Sequence, residues 1–354
     1  MRSSAIVEPQ ASPDLYRQRS RIVARVFSTG NRIMTKLLLS RRRLLKGATA
    51  LGAMAALTRN VSFAASTYPE HDLRWVIYQA PGGLIDGSTR ALQPFLKQHG
   101  FSSTVDYVRG ASGRIARTQL YRAHPDGLTI MTEASPEEVL GEVIYGAEYK
   151  VAEFQPVYGW FRNAFNICVL KNSPFKTFAD LVNAAKSRKV TIGTLGKGGP
   201  SHLQMAILNK QFGLKLQLVH FDGAAPAYAA VAGGHVDAAM GGSTSVQWSS
   251  TVNFLVVFRN GRDPALPDVP TAKECGYDIV PVNEVIYANA GPNVPADRIK
   301  KLSDAFAAAL ADPAAIEAQK KLGIFIAPIT PAELRQSIKS LYALVDEYKS
   351  DLLG

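Results

Sequence analysis

Three glycine-rich stretches carry the residues whose types and spacing could do chemistry: APGGLIDG at 80–87, GTLGKGGPSH at 193–202 and FDGAAPAY at 221–228. Each follows an apolar run of strand character and precedes a segment of helical character. Glycine lets the backbone approach a bound group. A helix start aims unpaired amide hydrogens and the positive end of its dipole at whatever lies ahead of it. The chemistry such loops support is capture of an anion. A phosphate reading fails in detail, because Pro81-Gly82-Gly83 runs into Leu84, Ile85 and Asp86 rather than a G-x-G-x-x-G register. Gly196-Lys197 is followed by Gly198, where a P-loop needs Ser or Thr.

Nucleophilic and metal chemistry have fewer candidates. Ser201 stands beside His202 but lacks the second glycine of a nucleophile elbow. It reads more readily as a helix cap or ligand contact than as a nucleophile. Ser201, His202 and Asp237 are the one catalytic set the chain offers. The six histidines show no metal spacing, and there is no CxxC or Cys/His cluster, so no metal and no cofactor are expected. Cys168 and Cys275 read as two separate buried thiols.

The elements that must position these loops begin near residue 68. Strand-like runs at 74–80, 102–108, 128–133, 165–171, 189–194, 215–221, 235–240 and 253–258 alternate with amphipathic stretches, the rhythm of an α/β protein. SPEEVLGEVI predicts a helix with Ser135 as cap, Pro136 at the first position, and Glu137 and Glu138 at the positive end of the dipole. Further helices are predicted at 84–97, 178–187, from 296 towards 311, and at 331–352. The pattern is a doubly wound α/β arrangement in two lobes, entering the second lobe near 166 and returning near 288 through a crossing segment at 285–295. In such sheets ligands bind at the carboxyl ends of strands, so all three loops should gather at one cleft.

The formal net charge of +11 would suggest a nucleic-acid or membrane-surface partner. Residues 1–64, however, hold 12 of the basic residues and only Glu8 and Asp14 of the acidic ones, which leaves 28 basic against 27 acidic residues in the body. No nucleic-acid partner is expected. The segment responsible, SRRRLLKGATALGAMAALTRNVSFAAS at 40–66, reads as an N-terminal extension with a twin-arginine export signal, cleaved near Ala64. Its apolar stretch is too short to span a bilayer.

A series of motifs in order, APGGLID, RGASGRIA, HPDGLTIMT, GTLGKGGPSHL, FDGAAPAYAAVAGGHVDAAM, LPDVPTAKECGYD and PITPAELRQ, resembles the periplasmic solute receptors of tripartite tricarboxylate transporters, the Bug family. The likeness runs from about Tyr68 to the C-terminus. It implies a type II-like periplasmic binding fold, each lobe a doubly wound mixed sheet, hinged by crossing strands. Lobe 1 would comprise 65–166 plus 288–354 and lobe 2 167–287. The resemblance implies a small organic acid in the interlobe cleft: a dicarboxylate, tricarboxylate, amino acid or aromatic acid. It also implies a monomer that delivers this acid to membrane permease subunits, one small and one large, or presents it to a sensor kinase.

By the same resemblance Pro81, Gly82, Gly83 and Asp86 hold one ligand carboxylate. Thr194, Gly196, Gly198, Ser201, His202, Gly223, Ala224 and Ala225 face it from the second lobe. Gln79 stands where the family commonly has an aromatic residue, and Gly241 where an aspartate is frequent. Trp160, Phe161 and Arg162 lie near the crossing strand. The two aromatics read as core, and Arg162 equally as a ligand partner or a member of a surface ion pair. An exported α/β enzyme acting on a carboxylate is the alternative of another class.

Overall fold

The computed structural model describes residues 67–353 apart from residue 222. The N-terminal extension, the twin-arginine signal and the cleavage point near Ala64 lie outside the described residues. In chain order the first half forms β1 (Leu73–Ile77), α1 (Leu84–Gln98), β2 (Ser103–Tyr107), α2 (Arg114–Tyr121), β3 (Thr129–Ser135), α3 (Glu137–Val143) and β4 (Gln155–Leu170). There follow α4 (Phe178–Ser187), β5 (Val190–Leu195), α5 (Pro200–Phe212), β6 (Leu216–Phe221), α6 (Ala224–Ala232), β7 (Ala238–Gly242) and β8 (Val252–Phe258). The chain closes with β9 (Asn283–Ala290), α7 (Ala296–Ala311), α8 (Pro313–Lys320) and α9 (Pro331–Leu353).

The strands lie in the order β2-β1-β3-β9-β4-β7-β5-β6, with β8 pairing β4. β1 is parallel to β2 and β3, and β5 is parallel to β6 and β7. All pairings of β4 and β9 are antiparallel. The result is the expected α/β architecture with mixed sheets, one on each side of β4. β1 sits between β2 and β3, and β5 between β6 and β7, so each half has the kind of switch point beside which ligands bind.

β4 is where the sequence reading fell short. It starts at Gln155, ten residues before the predicted 165, and runs 16 residues. It pairs with β9 as far as Ala164, and with β7 and β8 from Phe165 onward. Pro156 and Gly159 break the apolar pattern that would have revealed this half of the strand, and the ladder absorbs both through irregularities at Pro156/Tyr158 and Gly159/Phe161. Ser135 is likewise not a helix cap. It ends β3 opposite Val285, and Pro136 takes the cap position of α3 with no side-chain bond. The unpredicted α8 has an ordinary start signal: Asp312 accepts the Ala314 amide hydrogen, and Pro313 follows at the first position.

Trp160 and Phe161 are core residues, as expected. The Trp160 ring stacks on Phe306 of α7 with centroids 6.0 Å apart, and its Nε1 donates to Ser88 Oγ of α1 at 2.7 Å. Cys168 is buried and Cys275 only half-buried, and both are free thiols. No helix among the described residues is long and apolar enough to cross a membrane.

Candidate functional site

The first glycine loop joins β1 to α1. Its turn needs a left-handed residue, which Gly82 supplies at φ 83°. The Gly82 amide donates to Asp86 Oδ2 at 2.7 Å, and Asp86 Oδ1 accepts from Arg90 Nε at 2.8 Å and from the Tyr107 hydroxyl at 2.5 Å. Burial alone would raise the Asp86 pKa, but the bonds from Gly82, Tyr107 and Arg90 outweigh it and hold the carboxyl below its usual range. Asp86 is therefore an internal brace of the loop. Gly83 caps α1 without a side-chain bond, so the amides of the first helical turn have no intrahelical acceptor.

The second loop, between β5 and α5, is tied in the same manner. Ser201 Oγ accepts the Leu195 amide at 2.9 Å and donates to the Leu195 carbonyl at 3.1 Å. His202 Nδ1 accepts the Gly198 amide at 2.9 Å. Burial, His220 and Lys197 push the His202 pKa down to about 4, so its ring is neutral and Nδ1 stays an acceptor. Thr194 Oγ1 meets His220 Nδ1 at 2.7 Å behind the loop. Asp237 accepts from the Thr191 amide and hydroxyl, both at 2.8 Å, near the start of β5, whereas Ser201 lies beyond its other end. The set Ser201, His202 and Asp237 is not assembled, and among the described residues Ser201 Oγ is bonded to Leu195 and not to His202.

The third loop places Gly223, at φ 113°, as the cap of α6. Gly223, Gln79, Gly196 and Gly198 line one cavity of about 330 Å³. Gln79, Ser112 and Glu137 connect it to an adjoining space of about 730 Å³ bounded by Pro81, Gly82 and Gly83. Loops from both sheets thus converge on one cleft. Asp86, Thr194, Ser201 and His202 are buried behind its lining. Ala224 and Ala225 occupy the first turn of α6 and do not line the cavity. Arg162 is placed elsewhere. It registers with Val285 on the face covered by α9, and lines a separate groove of about 460 Å³ with Leu334, Ile338 and Leu341.

Several lining residues went unread in the sequence. Tyr145, just after α3, reaches across the cleft to donate to the Lys197 carbonyl at 3.2 Å, and Arg114 lies 4.6 Å over its ring. A Cβ at Gly198 would stand 2.1 Å from that hydroxyl, and the φ of 69° there lies in the left-handed region that favours glycine. Glu137 and Glu284 also face the cavity. Behind them Arg117 and Glu133, both fully buried, form a forked pair at 2.9 and 2.5 Å. Glu137 accepts the Tyr78 hydroxyl at 2.7 Å and lies 3.5 Å from Arg117. Burial, with Glu284 and Glu133 adding and Arg117 opposing, pushes its pKa up to about 7. Burial also raises Glu284, against a bond from Asn163 Nδ2 at 2.8 Å. The only local signal for Glu137 was its place at a helix start; Glu284 had none.

Comparison with known proteins fits this architecture. The family model described as the tripartite tricarboxylate transporter family receptor, TctC, matches residues 90–338. A UPF0065 protein of Agrobacterium vitis, from the TAR-I ttuE-ttuC' intergenic region, is 30% identical over 292 residues, covering 79% of this chain and 84% of the relative. The periplasmic binding protein BugD superposes with a TM-score of 0.65 at 27% identity, over 80% of this chain and 97% of its own. MatC from Rhodopseudomonas palustris, solved with bound malate, superposes with a TM-score of 0.66 at 23% identity, over 81% of this chain and 100% of its own. The chain belongs to the TctC family of tripartite tricarboxylate transporter receptors.

Proposed function

We propose that this protein is a periplasmic solute receptor that captures a small organic carboxylate in its interlobe cleft and does not catalyse its conversion. The observation that carries the reading is the convergence of three glycine loops, each leading into a helix start, on two adjoining cavities that share Gln79, Ser112 and Glu137 and are lined from both sheets. Amides at helix starts bind a carboxylate without a cationic side chain that must itself be desolvated. Pro81, Gly82, Gly83, Gly196, Gly198 and Gly223 form the contact surface. Asp86, Thr194, Ser201 and His202 hold that surface in shape. The malate in MatC is a ligand of the same chemical class.

The lobes comprise 65–166 with 288–354, and 167–287. The change of partners along β4 after Ala164 supports the first boundary. Ligand bridging both lobes favours the closed state by its differential affinity. The closed form is read by a permease of one small and one large subunit, or by a sensor kinase. Export follows the twin-arginine signal, and the receptor acts as a monomer. Ser201, bonded to Leu195 rather than to His202, supports binding without turnover.

A thermal-shift screen of residues 65–354 against organic acids tests this, since a ligand of the folded state raises the melting temperature by mass action. A selective shift with a carboxylate, absent with its amide, is expected. A shift only with nucleotides or uncharged sugars sinks the reading.

A further inference from the structure

We infer that Glu137 and Glu284 make the cleft selective for a carboxylate that also carries a basic nitrogen, the nitrogen lying between the two glutamates; this rests on the receptor reading above. Both side chains line the same cavity as the second and third glycine loops, although they come from α3 and from the start of β9. Each is fixed through one oxygen only. Glu137 Oε2 accepts from Tyr78, and Glu284 Oε2 accepts from Asn163, whose Oδ1 in turn accepts the Ser243 amide at 2.8 Å. Among the described residues no protein group hydrogen-bonds to Oε1 of either glutamate. The cavity therefore presents two oriented acceptors opposite loops that present donors.

The charges near these acceptors are unbalanced. Arg117 is the buried cation beside Glu137, 3.5 Å from its Oε2, but its hydrogen bonds go elsewhere: Nε and Nη2 to Glu133, and Nη1 to the Ser112 carbonyl at 2.8 Å. Among the described residues, none of the other cations of the cleft, Arg109, Arg114 and Lys197, is ion-paired with either glutamate. Arg109 and Lys197 are exposed, and Arg114 is stacked on Tyr145. A ligand with a second carboxylate would set like charge against like in a partly desolvated space, which is how a site rejects a competitor. An ammonium or imidazolium would supply the missing positive charge and donate to both free oxygens. Burial is the main cause of the upward shift of Glu137, and Glu284 adds a repulsion that such a cation would relieve.

The test is calorimetric titration of the protein with ω-amino acids from β-alanine to ε-aminocaproate, against dicarboxylates of the same chain length. It is run above the pH at which Glu137 loses its proton. At least one amino acid should bind about tenfold or more tighter than its dicarboxylate partner. Glu137→Gln and Glu284→Gln, which keep side-chain volume, should each erase that preference by weakening the amino acid and strengthening the dicarboxylate. Tighter binding of the dicarboxylate by the unmodified protein would overturn the inference without any variant. So would a preference unchanged in both variants. Binding of a carboxylate that lacks nitrogen, with no amino acid bound, would overturn the inference and leave the receptor reading standing. If no carboxylate binds in the wider screen, the receptor reading itself fails.

Discussion

Asp86 turns its carboxylate back on its own loop and takes the Gly82 amide at 2.7 Å, four residues upstream. The aspartate at the start of α1 thus spends its charge on loop shape. Asp86→Ala leaves a tight turn without its anchor and removes the charged acceptor shared by Gly82, Arg90 and Tyr107. The expected loss of stability is about 1 to 3 kcal/mol, read by urea unfolding, together with weaker binding of the ligand found in the screen. Asp86→Asn, which keeps one acceptor, should lie between the two. An unchanged affinity in Asp86→Ala would show that the loop does not touch the ligand.

His202 sets an acid limit. Its pKa is depressed in the fold to about 4 from 6.5. The stability it contributes is therefore full above pH 6.5 and is lost as pH falls towards 4. Protonation converts Nδ1 from acceptor to donor and breaks its bond with the Gly198 amide. Melting temperature followed over that window should fall more in the natural protein than in His202→Asn, whose amide oxygen cannot titrate. Parallel curves would refute the assignment.

Glu137 has the opposite sign. Its pKa is raised, so its contribution to stability is full below pH 4.5 and declines as pH rises through about 7. Glu137→Gln removes a charge that is unfavourable when buried. The variant should gain stability relative to the natural protein across this window and lose the slope that the residue imposes. A difference between the two proteins that stays constant with pH would sink the prediction.

Arg162 lines the groove under α9 and not the loop cleft. Arg162→Ala should leave ligand affinity within about twofold, since substitutions away from a site rarely couple to it. A tenfold loss by titration calorimetry would mean that the groove and the cleft respond to one another.

How much of this was legible in the sequence depended on range. The spans predicted at 178–187 and from 296 towards 311 coincide with α4 and α7, because each carries a helical period. Thr177 forms a full capping box with Asp180, all within a few residues. Gathering the three loops at one cleft was likewise legible, from their equivalent places after strands. The first half of β4 was hidden because its identity as a central strand comes from β9, far along the chain. Glu137 and Glu284 were hidden for the same reason. Their proximity follows from β3 and β9 pairing, in which Ser135 meets Val285, and no local pattern encodes that. The place of Arg162 was left open between two readings because the irregular stretch around Gly159 hides which face each side chain takes.

One unbroken strand, β4, serves both sheets, and this constrains how the molecule can change shape. A hydrogen-bonded strand resists stretching and shearing, but twist is its soft coordinate. β4 can therefore act as a torsion bar clamped at both ends, by β9 on one side and by β7 and β8 on the other. Its twist can change around Ala164 and Phe165 without giving up a ladder bond on either side. Rotation between the halves would then conserve backbone pairing, leaving ligand contacts and the Tyr145 bridge to the Lys197 carbonyl to set the resting angle.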